Sequence, residues 1–182
     1  NCRAKRLDGL FILCADFAAE DVQELMDFSN PVVVFDHFDE RASTIASNNE
    51  YIYFEMARHV LKAGYKTIVF CVGGDTDCSK QRKRGVERAA EKFGAKEVII
   101  RDLQYYSYDD SYSFTKSIIS ENFERPCVFY PDDYSALGGV RAVLESSLRC
   151  PEDFGIVGCD GSRVLQKFTP GLTTVRQDSY EI

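Results

Sequence analysis

The sequence predicts an α/β fold in which parallel sheets carry helices on both faces. Two observations predict it. Several short runs are apolar at every position, and segments with helical spacing alternate with them along the chain. Parallel strands are buried on both faces and need long, usually helical, connections. Continuous apolar runs separated by helices are therefore typical of parallel sheets.

The order of the elements follows from these patterns. The predicted strands are 9–15, 31–36, 67–72, 97–100, 127–130, 154–159 and 172–177. The predicted helices are 20–28, 48–64, about 79–93, about 110–122 and 132–148, with Asn48 as a cap and Gly64 and Gly94 as stops. In the last of these helices the residues expected to face inward are Leu137, Val140, Leu144 and Leu148.

Charge and chain ends restrict the function classes. The net charge of −7 repels phosphate backbones, so we do not expect this chain to bind nucleic acid by itself. No stretch of 18 consecutive apolar residues is present, so no membrane span is predicted. The chain begins at Asn1 rather than Met, and both ends adjoin strand-like runs, so we expect a fragment of a longer protein.

The seven cysteines do not form a recognisable framework. Their number is odd, their spacing is not compact, and no C-x-x-C pair occurs. The two histidines, His37 and His59, are isolated, so we expect neither a metal site nor a cofactor. Four cysteines lie in or beside apolar runs: Cys14, Cys71, Cys127 and Cys159. We expect these to be buried and reduced, which favours a cytoplasmic location.

Acidic residues follow most of the predicted strands. They are Asp16, Asp36, Asp75 with Asp77, Asp132 with Asp133, and Asp160. Ligands of parallel α/β sheets bind beyond the carboxyl ends of the strands, which makes these residues candidates for ligand contacts. An aspartate in such a place also caps a helix or forms a turn. Asp160-Gly161 fits the capping role less well, because no helical pattern starts there.

Arg82 is the second indication of a ligand site. It lies on the inward stripe of its helix, in the first turn, where a cation opposes the helix dipole. We expect exposed aromatic residues nearby, namely Tyr105, Tyr106 and Tyr130. Arginine, carboxylates and aromatic faces together suit a neutral polyhydroxylated ligand or a planar heterocycle.

The motifs in their order resemble one family over nearly the whole chain, the effector-binding region of LacI/GalR-type bacterial transcriptional regulators. The stretches that carry the resemblance are "LDGLFIL", "NPVVVFD", "NNEYIYFEMARHVLKAGYKTIVFCVGG", "QRKRGVERAAEKFG", "RPCVFYPDDYSALGGVRAVLES", "CPEDFGIVGCDGS" and "FTPGLTTVRQD". The resemblance implies a two-lobed fold like that of class I periplasmic binding proteins. Residues 1–46 would be the second half of the N-terminal lobe, 47–172 most of the C-terminal lobe, and 173–182 a crossover back.

The resemblance also implies roles for individual residues and partners. Arg82 and Asp160 match the family's effector-binding arginine and aspartate. Asp132 matches a position, often asparagine, that can reach the effector, and Asp133 matches the more regular aspartate beside it; both are expected to bind the ligand. Tyr106 matches an aromatic wall of the pocket, and the 75–79 loop, with Asp77 and Ser79, lines the same interlobe cleft. The expected partners are a sugar-like effector, a second copy in a homodimer, and operator DNA through a helix-turn-helix head that this chain lacks.

Other functions stay open on the sequence. The missing head could be LacI-like or a winged GntR-type domain. The chain could instead be a sugar-binding protein of a transporter, although its cysteines argue against an oxidising compartment. Asp75 and Asp77 after a strand could belong to an enzyme of Mg²⁺-dependent phosphoryl transfer, but "GGDTDCSKQ" lacks the spacing of a phosphate-binding loop. Cys78 is a conceivable nucleophile, yet no catalytic arrangement accompanies it, so we expect no enzyme.

Overall fold

The structure is a computed structural model that describes residues 7–13, 30–35, 43–72, 74, 76–103, 107–169 and 171–176. The chain divides into two compact units. The first comprises Asn1–Asn48, Thr76–Cys78 and Asp178–Ile182, and the second comprises Asn49–Asp75 and Ser79–Gln177. Each unit has its own parallel sheet, and the two are described separately below.

The first unit contains a three-stranded parallel sheet in the order β1-β2-β3. Its strands are β1 (Leu10–Leu13), β2 (Val32–Phe35) and β3 (Ser43–Ile45). Three consecutive valines give β2 its strand preference, since β-branched side chains fit a pleated surface. The sequence did not predict β3, because a three-residue strand with two hydroxyl side chains has no apolar run to reveal it.

The second unit contains a five-stranded sheet in the order β5-β4-β6-β7-β8, and every pair of neighbours is parallel. Its strands are β4 (Thr67–Val72), β5 (Glu97–Asp102), β6 (Pro126–Phe129), β7 (Gly155–Asp160) and β8 (Thr173–Arg176). Its helices are α1 (Asn49–Lys62), α2 (Asp77–Phe93, whose first two residues cluster with the first unit), α3 (Tyr108–Ser120), α4 (Asp133–Leu144) and the short α5 (Leu165–Phe168).

Burial on both faces of this sheet confirms the predicted α/β class with parallel strands. Every residue of β6 is buried, and alternate residues of β4 enter two different cores. Ile68 and Phe70 pack with residues of α1 and α2, whereas Val69 and Cys71 pack with residues of α3 and α4. Helices therefore cover both faces, as the continuous apolar runs predicted.

Strand order places a topological switch beside β4. The chain passes from β4 to β5 on one side and then returns to β6 on the other side of β4. At such a switch the connections leave the sheet in opposite directions, which opens a crevice at the carboxyl ends of the strands. The switch therefore lies at the edge of the sheet where the sequence places the candidate residues.

Two glycines allow neighbouring helices to approach closely. A Cβ atom on Gly85 of α2 would lie 2.9 Å from the Phe54 backbone nitrogen in α1. A Cβ atom on Gly138 of α4 would lie 2.9 Å from the Tyr112 backbone nitrogen in α3. Real Cβ atoms do not tolerate such contacts with backbone, so both helix pairs depend on glycine at the crossing.

The C-terminal part of α4 differs from the prediction. The helix ends at Leu144 instead of 148, and the Leu144 side chain is 73% exposed instead of facing inward. Glu145 is the C-cap of α4, so the helix ends before the apolar stripe that was expected to continue to Leu148 is complete. Leu148 still packs against the core, but from the loop that follows.

The cysteines of the second unit's sheet are as expected. Cys71, Cys127 and Cys159 are buried free thiols, and burial raises the pKa of Cys71. Cys14 lies outside the described residues. Over the described ranges, no helix has the length and apolar character needed to cross a membrane.

Replacing Gly138 by alanine should destabilise the second unit. The added methyl group would push α3 and α4 apart at a backbone contact, and overpacking of this kind costs about 1–3 kcal/mol in the free energy of unfolding. Urea unfolding followed by circular dichroism measures the change. The control is Ser113→Ala on the exposed side of α3, for which we expect a change within about 0.5 kcal/mol. Equal stability of the two variants would contradict the proposed close crossing.

Candidate functional site

The candidate site lies at the carboxyl edge of the second unit's sheet. Asp160 ends β7, and Asp132 and Asp133 follow β6 at the start of α4. Parallel strands end at the same edge, so these three carboxylates come together, and the charges of Asp132 and Asp133 act on the Asp160 carboxyl. The charge of Arg82, from α2, acts on the same group. The structure thus brings together four of the predicted ligand-binding residues.

Arg82 is held by contacts with two other segments. Its Nε donates a hydrogen bond to the Asn49 side-chain oxygen at 2.9 Å, and Asn49 is only 3% exposed. Its Nη1 lies 3.5 Å from the Pro131 carbonyl oxygen, a long contact at the limit of hydrogen bonding. The guanidinium carbon lies 5.1 Å from the centre of the Tyr53 ring, within the range of a cation–π interaction. These contacts fix the plane of the guanidinium group at the sheet edge.

Tyr53 forms the floor beneath Arg82. Its side chain is 1% exposed, and its ring packs edge-on against Phe70 with centres 5.7 Å apart. Burial raises the pKa of Tyr53 well above its usual range. Among the described residues no oxygen or nitrogen atom bonds the buried hydroxyl, and the Cys159 thiol beside it is at best a weak partner. The ring, rather than the hydroxyl, therefore carries the role of Tyr53 in the fold.

Asp132 and Asp133 have different environments. Asp132 caps α4, because its carboxylate accepts hydrogen bonds from the Ser135 amide at 2.6 Å and the Ser135 hydroxyl at 3.0 Å. Asp133 is 1% exposed. One of its oxygens accepts from the Ser162 amide at 2.6 Å, and the other accepts from the Thr174 hydroxyl at 2.5 Å. Asp132 thus bonds within the first turn of α4, whereas Asp133 ties the start of α4 to the loop after β7 and to β8.

Asp160 combines an unusual backbone with a perturbed carboxyl group. Its φ angle is +102°, in a region that residues with a Cβ atom rarely adopt. Desolvation by neighbouring groups is the largest cause that raises the pKa of Asp160, to about 6, although the residue is exposed at the surface, and the charges of Asp132 and Asp133 add to it. Arg82 acts in the opposite direction. A perturbed carboxyl group at a sheet's carboxyl edge is typical of a ligand-binding position.

Known proteins match this chain over most of its length. A family profile described as "Periplasmic binding protein-like domain" matches residues 57–182, more than half of the chain. The chain belongs to this family.

Curated relatives and a solved structure agree with the assignment. The HTH-type transcriptional repressor PurR of Aliivibrio fischeri (strain MJ11) is 30% identical over 184 residues, which cover 95% of this chain and 53% of that protein. PurR of Haemophilus influenzae (strain PittEE) is 27% identical over 184 residues, covering 98% and 54%. The chain therefore spans about half the length of these relatives. A LacI family regulator from Enterococcus faecium, solved with bound ribose, has a TM-score of 0.82 at 21% identity, covering 96% of this chain and 66% of that one.

These matches confirm two predictions for the periplasmic binding protein-like domain. The resemblance to the effector-binding domain of LacI/GalR-type regulators is confirmed, and the fold is that of the LacI family structures. The relatives are transcription regulators rather than enzymes, in agreement with the expectation that this chain is not an enzyme.

In this periplasmic binding protein-like domain, Tyr130 is a core residue. The expectation that Tyr130 is an exposed aromatic residue is wrong, since its side chain is 1% exposed and its hydroxyl bonds the Thr115 hydroxyl. Tyr130 lies two residues beyond Val128, so its side chain points to the same face of the sheet, into the core beneath α3 and α4. Its side chain is therefore not exposed at the carboxyl edge.

Two other predicted residues are placed differently from the central four, and a third lies outside the described residues. Asp77 opens α2, is exposed, and clusters with the first unit. Ser79 lies two residues further along α2, is half-buried, and belongs to the second unit. Tyr106, like its neighbour Tyr105, lies outside the described residues. Their roles in binding stay predictions.

The sequence did not reveal the residues that support the site. Asn49 and Tyr53 hold Arg82, and Ser162 and Thr174 bond Asp133. A weak signal was available for Asn49, since two consecutive asparagines stand at the start of the helix and only one is needed as a cap. No such signal was available for Thr174, because threonine is common in β-strands.

Ionisation of Asp160 should reduce the stability of the domain. Its pKa is about 6 in the folded state against 3.8 ordinarily, so the folded state binds the proton more tightly. The free energy of unfolding of the wild type, relative to Asp160→Asn, should therefore fall as the pH rises from about 4 to about 7. Chemical unfolding at a series of pH values measures this difference.

Asp153 provides a control of opposite sign for that titration. Hydrogen bonds from Arg149 lower the pKa of Asp153 to about 2, so its contribution is present above pH 3.8 and is lost as the pH falls toward 2. Asp153→Asn should differ from the wild type in a pH-independent way between 4 and 7. A difference between wild type and Asp160→Asn that stays flat over this window would contradict the assigned pKa of Asp160.

Two substitutions separate the ring of Tyr53 from its hydroxyl. Tyr53→Phe should leave the free energy of unfolding unchanged or raise it by up to about 1 kcal/mol, because it removes a buried hydroxyl without a good partner. Tyr53→Leu should lower it by about 1–3 kcal/mol, since the contacts with Phe70 and Arg82 are lost. Urea unfolding measures both. A marked loss of stability in Tyr53→Phe would show that the hydroxyl has a strong partner.

Proposed function

We propose that this chain is the effector-sensing domain of a LacI/GalR-type transcriptional regulator. In this proposal a small polar ligand, a sugar or sugar derivative, binds at the carboxyl edge of the second unit's sheet. The observation that supports it most directly is the meeting of Arg82 and Asp160 at that edge, where the charge of one acts on the carboxyl of the other. The curated relatives, which are repressors, supply the regulatory part of the proposal.

The chemistry of the edge favours a ligand rich in hydroxyl groups. The carboxylate of Asp160 accepts hydrogen bonds from hydroxyl protons, and the guanidinium of Arg82 donates to hydroxyl or ring oxygens. Asp132 lies beside them and is a further candidate contact, although its carboxylate also caps α4. The ribose bound to the LacI family regulator from Enterococcus faecium is a ligand of this chemical class.

Charge at the edge argues for a neutral ligand over a phosphorylated one. Among the described residues, the largest charge effects on the Asp160 carboxyl come from two further carboxylates and one guanidinium group, and Arg176 is its partner in the register of β8. An anionic ligand placed here would meet a surplus of negative charge in a partly desolvated position, which disfavours binding. A neutral sugar avoids that repulsion and still satisfies the donors and acceptors of the edge.

The regulatory setting completes the proposal. A chain with a net charge of −7 is unsuited to bind DNA by itself, so operator binding would belong to a head domain of the helix-turn-helix kind named for the curated relatives. We propose a homodimer in a reducing, cytoplasmic compartment, where the buried free cysteines remain thiols. Binding of the sugar would change the affinity of the head for its operator.

Substitution of either member of the Arg82–Asp160 pair should weaken ligand binding. A thermal-shift screen of pentoses, hexoses, their phosphates and nucleobases on the whole protein that contains this chain identifies the ligand. Calorimetry should then show that Arg82→Ala and Asp160→Ala each weaken it by about 2–5 kcal/mol, on the order of a hundredfold or more, because a charged partner is left unpaired.

A matched control and a second measurement make this test specific. The control is Arg84→Ala. Arg84 lies on the same helix, but it is exposed and pairs with Glu50, so this variant should bind the ligand with the affinity of the wild type. Unchanged affinity in both Arg82→Ala and Asp160→Ala would refute the site. Ligand binding that leaves operator affinity unaltered, measured by fluorescence anisotropy, would favour a solute-binding protein of a transporter instead.

A further inference from the structure

We propose that Asp133 and Thr174 form a latch that holds the backbone of residues 160–162 and thereby aims the Asp160 carboxylate into the candidate site. In this assignment Asp133 is a positioning residue, and the effector does not touch it. The consequence for the effector rests on the proposed function. The latch itself is a property of the fold and can be tested without any ligand.

The hydrogen bonds of Asp133 identify it as a buried anchor. Its carboxylate is almost completely enclosed, and both oxygens are engaged, one by the Ser162 amide at 2.6 Å and one by the Thr174 hydroxyl at 2.5 Å. The backbone of β7 leaves room for it at Gly158, where a Cβ atom would collide with the Asp133 carboxylate. A buried carboxylate whose two oxygens both accept hydrogen bonds from the protein stabilises the local structure, and little of its surface is accessible to a ligand.

Thr174 joins three segments through one hydroxyl group. Its oxygen accepts a hydrogen bond from the Gly161 amide at 3.2 Å and donates its proton to Asp133 at the start of α4. The Val175 carbonyl, at 3.4 Å, is the weaker acceptor for that proton, because it is farther away and uncharged. The hydroxyl therefore connects β8, the loop after β7, and α4.

The loop that these bonds hold has an unfavourable backbone. Asp160 has φ +102° and Gly161 has φ +64°, so two consecutive residues lie at positive φ. For a residue with a Cβ atom such a conformation is strained, and strain of this kind persists only where the surroundings enforce it. The amides of Gly161 and Ser162, directly after Asp160, are the two amides that the latch binds. The latch therefore restrains the two peptide units that follow the strained residue.

Removing the latch should change the ionisation of Asp160 in a predictable direction. The charged groups that act on its carboxyl are Asp132 and Asp133 from α4 and Arg82 from α2, with the Cys159 thiol beside it on β7. Desolvation of the carboxyl by its neighbours is the largest influence and raises the pKa, so a loop that moves the carboxyl away from this edge should lower it. The titration of Asp160 therefore reports on the position of its carboxylate, and a substitution that merely loosens the fold elsewhere leaves it unchanged.

The test compares Thr174→Val with Thr174→Ser, because the first removes the hydroxyl at nearly constant shape and the second retains it. Carbon-13 NMR of the Asp160 carboxyl should give a midpoint near pH 6 for the wild type and for Thr174→Ser. In Thr174→Val the midpoint should fall by about half a pH unit or more. Identical midpoints in the wild type and a folded Thr174→Val would overturn the proposal.

Two further measurements keep the latch testable if Thr174→Val does not fold. Hydrogen exchange on the unmodified protein should show slow exchange for the Gly161 and Ser162 amides, and fast exchange at both would exclude the latch. Asp160→Gly should melt about 2–4 °C higher than Asp160→Ala, because glycine relieves the strain that the latch imposes. An equal or lower melting temperature for Asp160→Gly would show that no strain is held there.

These outcomes separate the latch from the proposed function. If Arg82→Ala and Asp160→Ala bind the ligand normally while the midpoint still falls in Thr174→Val, the latch stands and the effector role fails. If ligand binding depends on the pair but the midpoint does not respond to Thr174→Val, the effector site stands and the latch is refuted.

Discussion

All strands of the second unit's sheet run in the same direction, and this constraint determines where its chemistry lies. Parallel strands require a crossover between neighbours, and those crossovers cover both faces of the sheet with helices. Both faces are then core, so polar side chains collect at the strand ends. The carboxyl ends meet at one edge, where the order β5-β4-β6 also reverses the direction of the connections. Asp160 and the start of α4 meet there for this reason, although Asp133 and Asp160 are 27 positions apart in the sequence.

The carboxylates at this edge are stabilised in different ways. Asp132 is satisfied by the first turn of α4, and Asp133 by an amide and a hydroxyl group. Asp160 ends β7 at the same edge, where the residue is exposed but its carboxyl is influenced by both neighbours. Desolvation and like charge together raise the pKa of this one group, while Arg82 lowers it. A hydroxyl-rich ligand of the kind proposed would donate hydrogen bonds to that group.

The sequence predicted the framework of the second unit better than the details of its site. Apolar runs located β4 and β7 within a residue or two, because burial on both faces leaves no polar position inside them. The same property left the orientation of Tyr130 unpredicted. When both faces of a strand are apolar, its sequence pattern does not show on which face a terminal aromatic side chain packs. Thr174 and Asn49 were not predicted for another reason. Their hydrogen-bonding partners are distant in the sequence, and a single polar residue forms no periodic pattern.

The backbone conformation of Asp160 reduces the stability of the fold at the candidate site. Glycine would adopt φ +102° without strain, and the next residue, which also has positive φ, is a glycine. Gly161 has a packing reason as well, because a Cβ atom there would lie 2.6 Å from the Arg176 Cβ atom on β8. No such packing reason favours aspartate at 160, where the backbone is strained and the carboxyl lies beside like charges. A residue that costs stability in both ways contributes something other than stability, and a carboxyl whose ionisation responds to the charge of Arg82 is the contribution that this geometry provides.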